Sequence, residues 1–138
     1  MSEQENVAIV KSVLAAFKRG DTQTFLSLLS DDVDFRHPMS TDIWPWAGKR
    51  RGRAQVSKSW AELATVSEFE QFEPREFIAQ GNKVVVLVFE RFRIKATGRS
   101  VDNEYVHVVT LRGGKVVQFC IYEDTAPIIA AIRDQAGI

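Results

Sequence analysis

Apolar positions along the chain recur first with a helical period and then with a period of two. Val7, Val10, Val13, Leu14 and Phe17 fall at i, i+3 and i+4 spacings, which predicts an amphipathic helix. Gly20 and Asp21 end it, and Asp21 or Thr22 is placed to cap a second, short helix carrying Phe25, Leu26, Leu28 and Leu29. The period then switches. Val33, Phe35 and His37 alternate with Asp34 and Arg36, a short strand on which Pro38 holds His37 extended. STDIWPWAGKRRGR reads as a loop, and a third helix begins near Arg53, burying Val56, Trp60 and Leu63. From Glu68 the pattern is strand-like over 69–79, 83–95, 101–111 and 116–122, with AQGN, ATGRS and RGGK as the turns. Asp124 or Thr125, followed by Pro127, opens a last helix running to Arg133.

Three helices, a sheet of long antiparallel strands and a closing helix predict an α+β fold in one domain spanning 1–138. A chain of 138 residues is long enough for a single sizeable core. Both faces of Tyr105-Val106-His107-Val108-Val109 are largely apolar. One face suits the helices; the other predicts a homodimer packed through the sheet.

Composition narrows the function classes. Lys+Arg and Asp+Glu are each 18, so no net field recruits nucleic acid or an anionic membrane. No apolar run approaches the ~20 residues that span a bilayer. MSEQENVAIVK is acidic and amphipathic, unlike a secretory signal, and the single cysteine, Cys120, excludes an internal disulfide; both point to a cytoplasmic protein. Lys49-Arg50-Arg51-Gly52-Arg53 lacks interleaved aromatics and reads as a solvated loop entering a helix.

Four stretches, GDTQTFLSLLSDDVDF, WPWAGKRRGRAQVSKSWAEL, TGRSVDNEYVHVVTLRGGKVVQF and YEDTAPIIAAI, cover nearly the whole chain. In their order and spacing they resemble the NTF2-like superfamily, and within it the ketosteroid-isomerase-like and SnoaL-like (polyketide cyclase) branches. The resemblance implies a curved sheet wrapped around helices into a cone whose open end holds an apolar pocket. It also implies that His37 stands where steroid isomerases keep their aspartate base. By the same comparison His107 stands at the protonated aspartate of their oxyanion hole, and Val13 at the tyrosine. Steroid isomerisation by that mechanism is therefore not expected. The epoxide hydrolases of the superfamily use an Arg and two Asp. Arg91 is retained here, but Arg93 and Ile121 occupy the acidic positions, which argues against that reaction too. Glu123, two residues beyond Ile121 on the same strand face, is the nearby substitute for the acid of the cyclases.

His37 and His107, the only two histidines, share strand faces with apolar residues and so are the candidate catalytic pair: His37 as base, His107 as hydrogen-bond donor or partner. Trp44, Trp46, Trp60, Tyr105 and Phe119 are candidates for an apolar, planar ligand pocket, with Arg91 and Glu123 as its charged members. The alternative for Arg91 and Arg93 is structural pairing, with Glu104 or Glu123 as partners. Asp124 reads as a helix cap. No cofactor is expected, and two histidines without a firmly placed carboxylate make a poor metal site. The first expectation is an acid/base enzyme performing isomerisation, cyclisation or dehydration of a small, largely apolar molecule bearing carbonyl or hydroxyl groups. The alternative is a non-catalytic module that binds an apolar ligand or a protein partner.

Overall fold

The structure is a computed structural model, and it describes residues 2–44 and 46–133. Among them are four helices and six strands. Helix α1 (Glu3–Lys18) starts with a capping box: the Ser2 hydroxyl accepts from the Glu5 amide, and the Glu5 carboxylate accepts from the Ser2 amide, each at 3.0 Å. Its Val10, Val13 and Leu14 are buried, as the helical period predicts. The chain turns at Gly20, whose φ of +73° suits a residue without Cβ. Asp21 then caps α2 (Thr22–Ser27) by accepting from the Thr24 amide at 3.1 Å.

Strand β1 (Leu29–His37) buries Val33, Phe35 and His37 and turns Asp34 and Arg36 outward. The segment read as a loop up to Arg53 contains a strand, β2 (Gly48–Arg51), antiparallel to β1 with His37 opposite Gly48. Its sequence, GKRR, has no apolar alternation because β2 is an edge strand, where charged residues also discourage further pairing. Helix α3 (Gly52–Val66) follows, then β3 (Ser67–Gln80), β4 (Lys83–Ile94), β5 (Ser100–Arg112) and β6 (Lys115–Tyr122). Gly113 and Gly114 both have positive φ in the two-residue turn from β5 to β6, the conformation that matches the twist of the strands it joins. Helix α4 (Ala126–Arg133) starts where Asp124 accepts from the Ala126 amide at 3.2 Å.

The strands form one curved sheet in the order β2-β1-β6-β5-β4-β3. Three of its pairings run β3–β4, β4–β5 and β5–β6 as antiparallel hairpins. The β1–β6 pairing is parallel, a departure from the all-antiparallel expectation. It is possible because α3 and four strands separate the two in sequence and carry the chain back. The helices lie on the concave face, over an apolar core of residues such as Val13, Leu29, Val33, Val86 and Val109, each wholly buried. A second apolar cluster, with Met39, Trp44, Phe92 and Ile128, closes one end.

Candidate active site

A cavity of about 60 Å³ lies between the two clusters, and most of the side chains around it are aromatic or aliphatic. A stripe of polar groups crosses it. The inward register of four neighbouring strands places Glu90 on β4, Asn103, Tyr105 and His107 on β5, Glu123 just beyond β6, and His37 at the end of β1. Each strand supplies its polar group at a position where alternation would otherwise put an apolar residue.

The stripe resolves into two bonded groups. In the first, the Tyr105 hydroxyl donates to Glu90 Oε2 at 2.9 Å, both residues being buried. Burial, reinforced by the nearby Glu123 carboxylate and opposed by the tyrosine bond, pushes the Glu90 carboxyl up to about 8. Glu90 is therefore a neutral acid at neutral pH. Burial and the adjacent Glu90 likewise drive the Tyr105 phenol upward, so it too stays protonated.

In the second group, Glu123 is held at both oxygens. His37 Nε2 meets Oε1, and the Asn103 amide donates to Oε2 at 2.9 Å. The His37 and Glu123 side chains are 2% and 3% exposed, so this contact is sealed from water. His37 Nδ1 accepts from the Met39 amide at 3.3 Å, which leaves the ring proton on Nε2, facing the carboxylate. With both nitrogens engaged, His37 is an orienting partner; the open lone pairs belong to Glu123. His107 differs. Its Nδ1 is buried without a hydrogen-bond partner in the structure, and burial, with a smaller contribution from His37, lowers the imidazole to about 3. His107 is thus a neutral donor or acceptor. The Trp46 indole N–H, 4.3 Å ring to ring from His37, is the other buried polar atom of the cavity wall without a partner.

His37, His107, Trp44, Trp46, Tyr105, Phe119 and Glu123 all line the cavity. Two expected pocket residues do not. Trp60 packs on Phe17 and Phe25, 4.9 and 4.6 Å ring to ring, because the apolar stripe of α3 serves the helix core. Arg91 points away from the cavity and binds Asp102 at 2.6 and 3.1 Å on the exposed sheet face. Arg93 shares that face and pairs with Glu68 at 2.9 Å, so neither arginine takes Glu104 or Glu123 as its partner. Sequence reasoning missed Asn103 and, most consequentially, Glu90. Its signal was present: in KVVVLVFERFRI it follows Val84, Val86 and Val88 in the inward register, ahead of Phe92 and Ile94. No group of three or more His, Cys, Asp or Glu among the described residues is arranged to hold a metal ion. No helix among them is long and apolar enough to cross a membrane.

The family model described as a SnoaL-like domain matches residues 10–119. The chain belongs to the SnoaL-like family. Solved structures agree. An NTF2-like protein from Burkholderia xenovorans LB400 is 36% identical, with a TM-score of 0.87 over 96% of this SnoaL-like chain and 99% of that one. An NTF2-like protein of unknown function from Burkholderia pseudomallei K96243 is 30% identical, with a TM-score of 0.85 over 96% and 99%. TerC, co-crystallised with polyporic acid, is 27% identical, with a TM-score of 0.81 over 93% and 98%. No curated protein matches the chain.

Proposed function

We propose that this SnoaL-like domain binds a small, largely apolar ring compound bearing hydroxyl or carbonyl oxygens and relocates a proton on it, in an isomerisation, cyclisation or dehydration. One observation carries the reading: two buried carboxyl groups, one bonded to a tyrosine and the other to a histidine and an asparagine, face one apolar cavity. An acid kept protonated by burial beside a second carboxyl group is what acid/base chemistry at neutral pH can use. Glu123 is the base. His37 and Asn103 fix its orientation, and its remaining lone pairs take a proton from a weakly acidic C–H or O–H. Glu90, neutral and bonded to Tyr105, is the acid that meets the oxygen on which charge develops. His107 Nδ1 hydrogen-bonds a second ligand oxygen and so removes the cost of a buried unpaired nitrogen, about 1–3 kcal/mol. The role of His37 is accordingly that of a positioning residue, not a lone base. TerC, as a relative co-crystallised with polyporic acid, supports an oxygenated ring compound as the first probe.

The test is exchange of solvent deuterium into a panel of cyclic diketones and hydroxyquinones, polyporic acid among them, followed by NMR. Glu123→Gln should slow exchange on an active compound by roughly 10²–10⁴-fold, the usual worth of a positioned base. Exchange that Glu123→Gln leaves unchanged would overturn the assignment. We further propose that the outer sheet face packs on a second copy of the chain. Val85, Leu87, Phe89, Val106 and Val108 are half-buried there, on the face opposite the buried Val84, Val86, Val88, Tyr105 and His107.

A further inference from the structure

Nearly all the side chains around the cavity are buried. Among the lining residues, Phe17, Trp46, Phe69 and Glu123 are partly exposed. Behind Phe17 and Phe69 lies a groove of about 290 Å³, and these two rings, with Phe72, line both spaces. Three phenyl rings thus form a wall shared by the cavity and the groove. Phe17 stands 5.3 Å from Phe69 and 5.1 Å from Phe72, and Phe69 is 5.8 Å from Phe72, ring to ring. The groove's outer rim is polar, with Lys18, Glu70, Gln71 and Glu73.

We propose that this wall is the port of the cavity, with Phe69 as its moving part and the groove outside it as the vestibule. Three features single it out. Phe69 belongs to β3, an edge strand with one sheet neighbour, so one side of its backbone has no strand partner. A register shift between Phe69 and Gln71 leaves Glu70 as a bulge beside the ring, and a bulge loosens the ladder where it occurs. Swinging the Phe69 ring towards the groove breaks no side-chain hydrogen bond, since a phenyl ring makes none. Trp46, like Phe69, packs against the buried cluster of Met39, Trp44, Phe92 and Ile128, but it belongs to no strand and lines no second space outside the cavity.

The port fixes the shape of a ligand more than its chemistry. A cavity of about 60 Å³ behind a phenyl gate admits a flat molecule edge-on, and a longer one would leave its polar end in the groove, among Lys18, Glu70 and Gln71. Nothing here depends on the carboxylates doing chemistry.

The test is therefore independent of any substrate. In a Cys120→Ser background, Ile121→Cys places a thiol in the cavity wall. Its alkylation by N-ethylmaleimide measures entry. Phe69→Ala should raise that rate roughly tenfold or more, because a gate limits passage by how often it stands open. Phe69→Leu should give a smaller rise in the same direction, and covers the case in which the alanine variant folds poorly. Trp46→Ala, and Phe119→Ala as a control for general loosening of a buried wall, should each change the rate less than about threefold. A larger rise from Trp46→Ala than from Phe69→Ala would overturn the port. Equal rises from all the variants would overturn it as well, since they would mean entry through global loosening.

Discussion

Replacing Glu90 by glutamine isolates the most strained electrostatic feature of the cavity. The side chain is 5% exposed, and burial together with Glu123 raises its carboxyl from an ordinary 4.5 to about 8. In the unfolded chain the same group ionises near its ordinary value. Between pH 4.5 and about 8 the folded protein therefore holds a proton that the unfolded chain has released. Stability must then fall as pH rises through that window, by about 1.4 kcal/mol per pH unit. Over the full window of 3.5 pH units (8 − 4.5) the loss is of order 5 kcal/mol. A domain is typically stable by only ~5–15 kcal/mol, so the effect is large. Glutamine keeps the shape and still accepts the Tyr105 hydroxyl proton, but it cannot ionise. Urea unfolding of both proteins from pH 5 to 9 is the assay. The wild type should lose ground to Glu90→Gln steadily up to about pH 8, and the difference should then level off. His107 contributes a slope of the opposite sign below pH 6.5, but it is present in both proteins and largely cancels in the difference. A difference that stays flat from pH 5 to 8 would refute the reasoning, because Glu90 would then ionise alike in both states.

Three further outcomes are expected. His107 stays neutral in the folded protein down to about pH 3, whereas the unfolded chain takes up its proton near 6.5, so stability falls as pH drops through that interval. His107→Phe should remove this slope and move the acid-unfolding midpoint downward; an unmoved midpoint would contradict the burial argument. Leu111→Ala, at a side chain 2% exposed in the core, should cost roughly 2–5 kcal/mol in the same urea assay. Val106→Glu, on the half-buried outer face of β5, should convert a dimer to a monomer in sedimentation equilibrium, and a wild type that sediments as a monomer would sink the second-copy proposal.

The strands were readable because alternation survives in the sequence wherever one face is buried: Val33-Phe35-His37 and Tyr105-His107-Val109 point inward as their spacing requires. Strand β2 was unreadable because GKRR has no face to bury. The parallel β1–β6 pairing was unreadable for a different reason, since alternation fixes which side a residue faces and not which strand lies beside it. The site divides the same way. His37, His107 and Glu123 were found from their strand faces and from the family resemblance. The engagement of His37 Nδ1 by the Met39 amide is a three-dimensional fact with no trace in residue order, and with the Nε2 contact to Glu123 it is why the proposed base is the carboxylate and not the imidazole. Glu90 was legible in principle, but it sits in the charged run Glu90-Arg91-Phe92-Arg93, where only strict counting separates the inward carboxyl from the outward arginines. Trp60 shows the limit from the other side: a tryptophan on an apolar helical stripe has the same spacing whether it faces a ligand or, as here, Phe17 and Phe25.

The most direct test of the proposed acid/base pocket is a crystal structure of the protein grown with polyporic acid. The compound should lie in the cavity with one oxygen within hydrogen-bonding distance of Glu90 or Tyr105, another at His107 Nδ1, and the Glu123 carboxylate against the ring. Polyporic acid bound elsewhere on the protein, over a closed cavity in which Glu90 and Glu123 touch nothing but their present partners, would contradict the account.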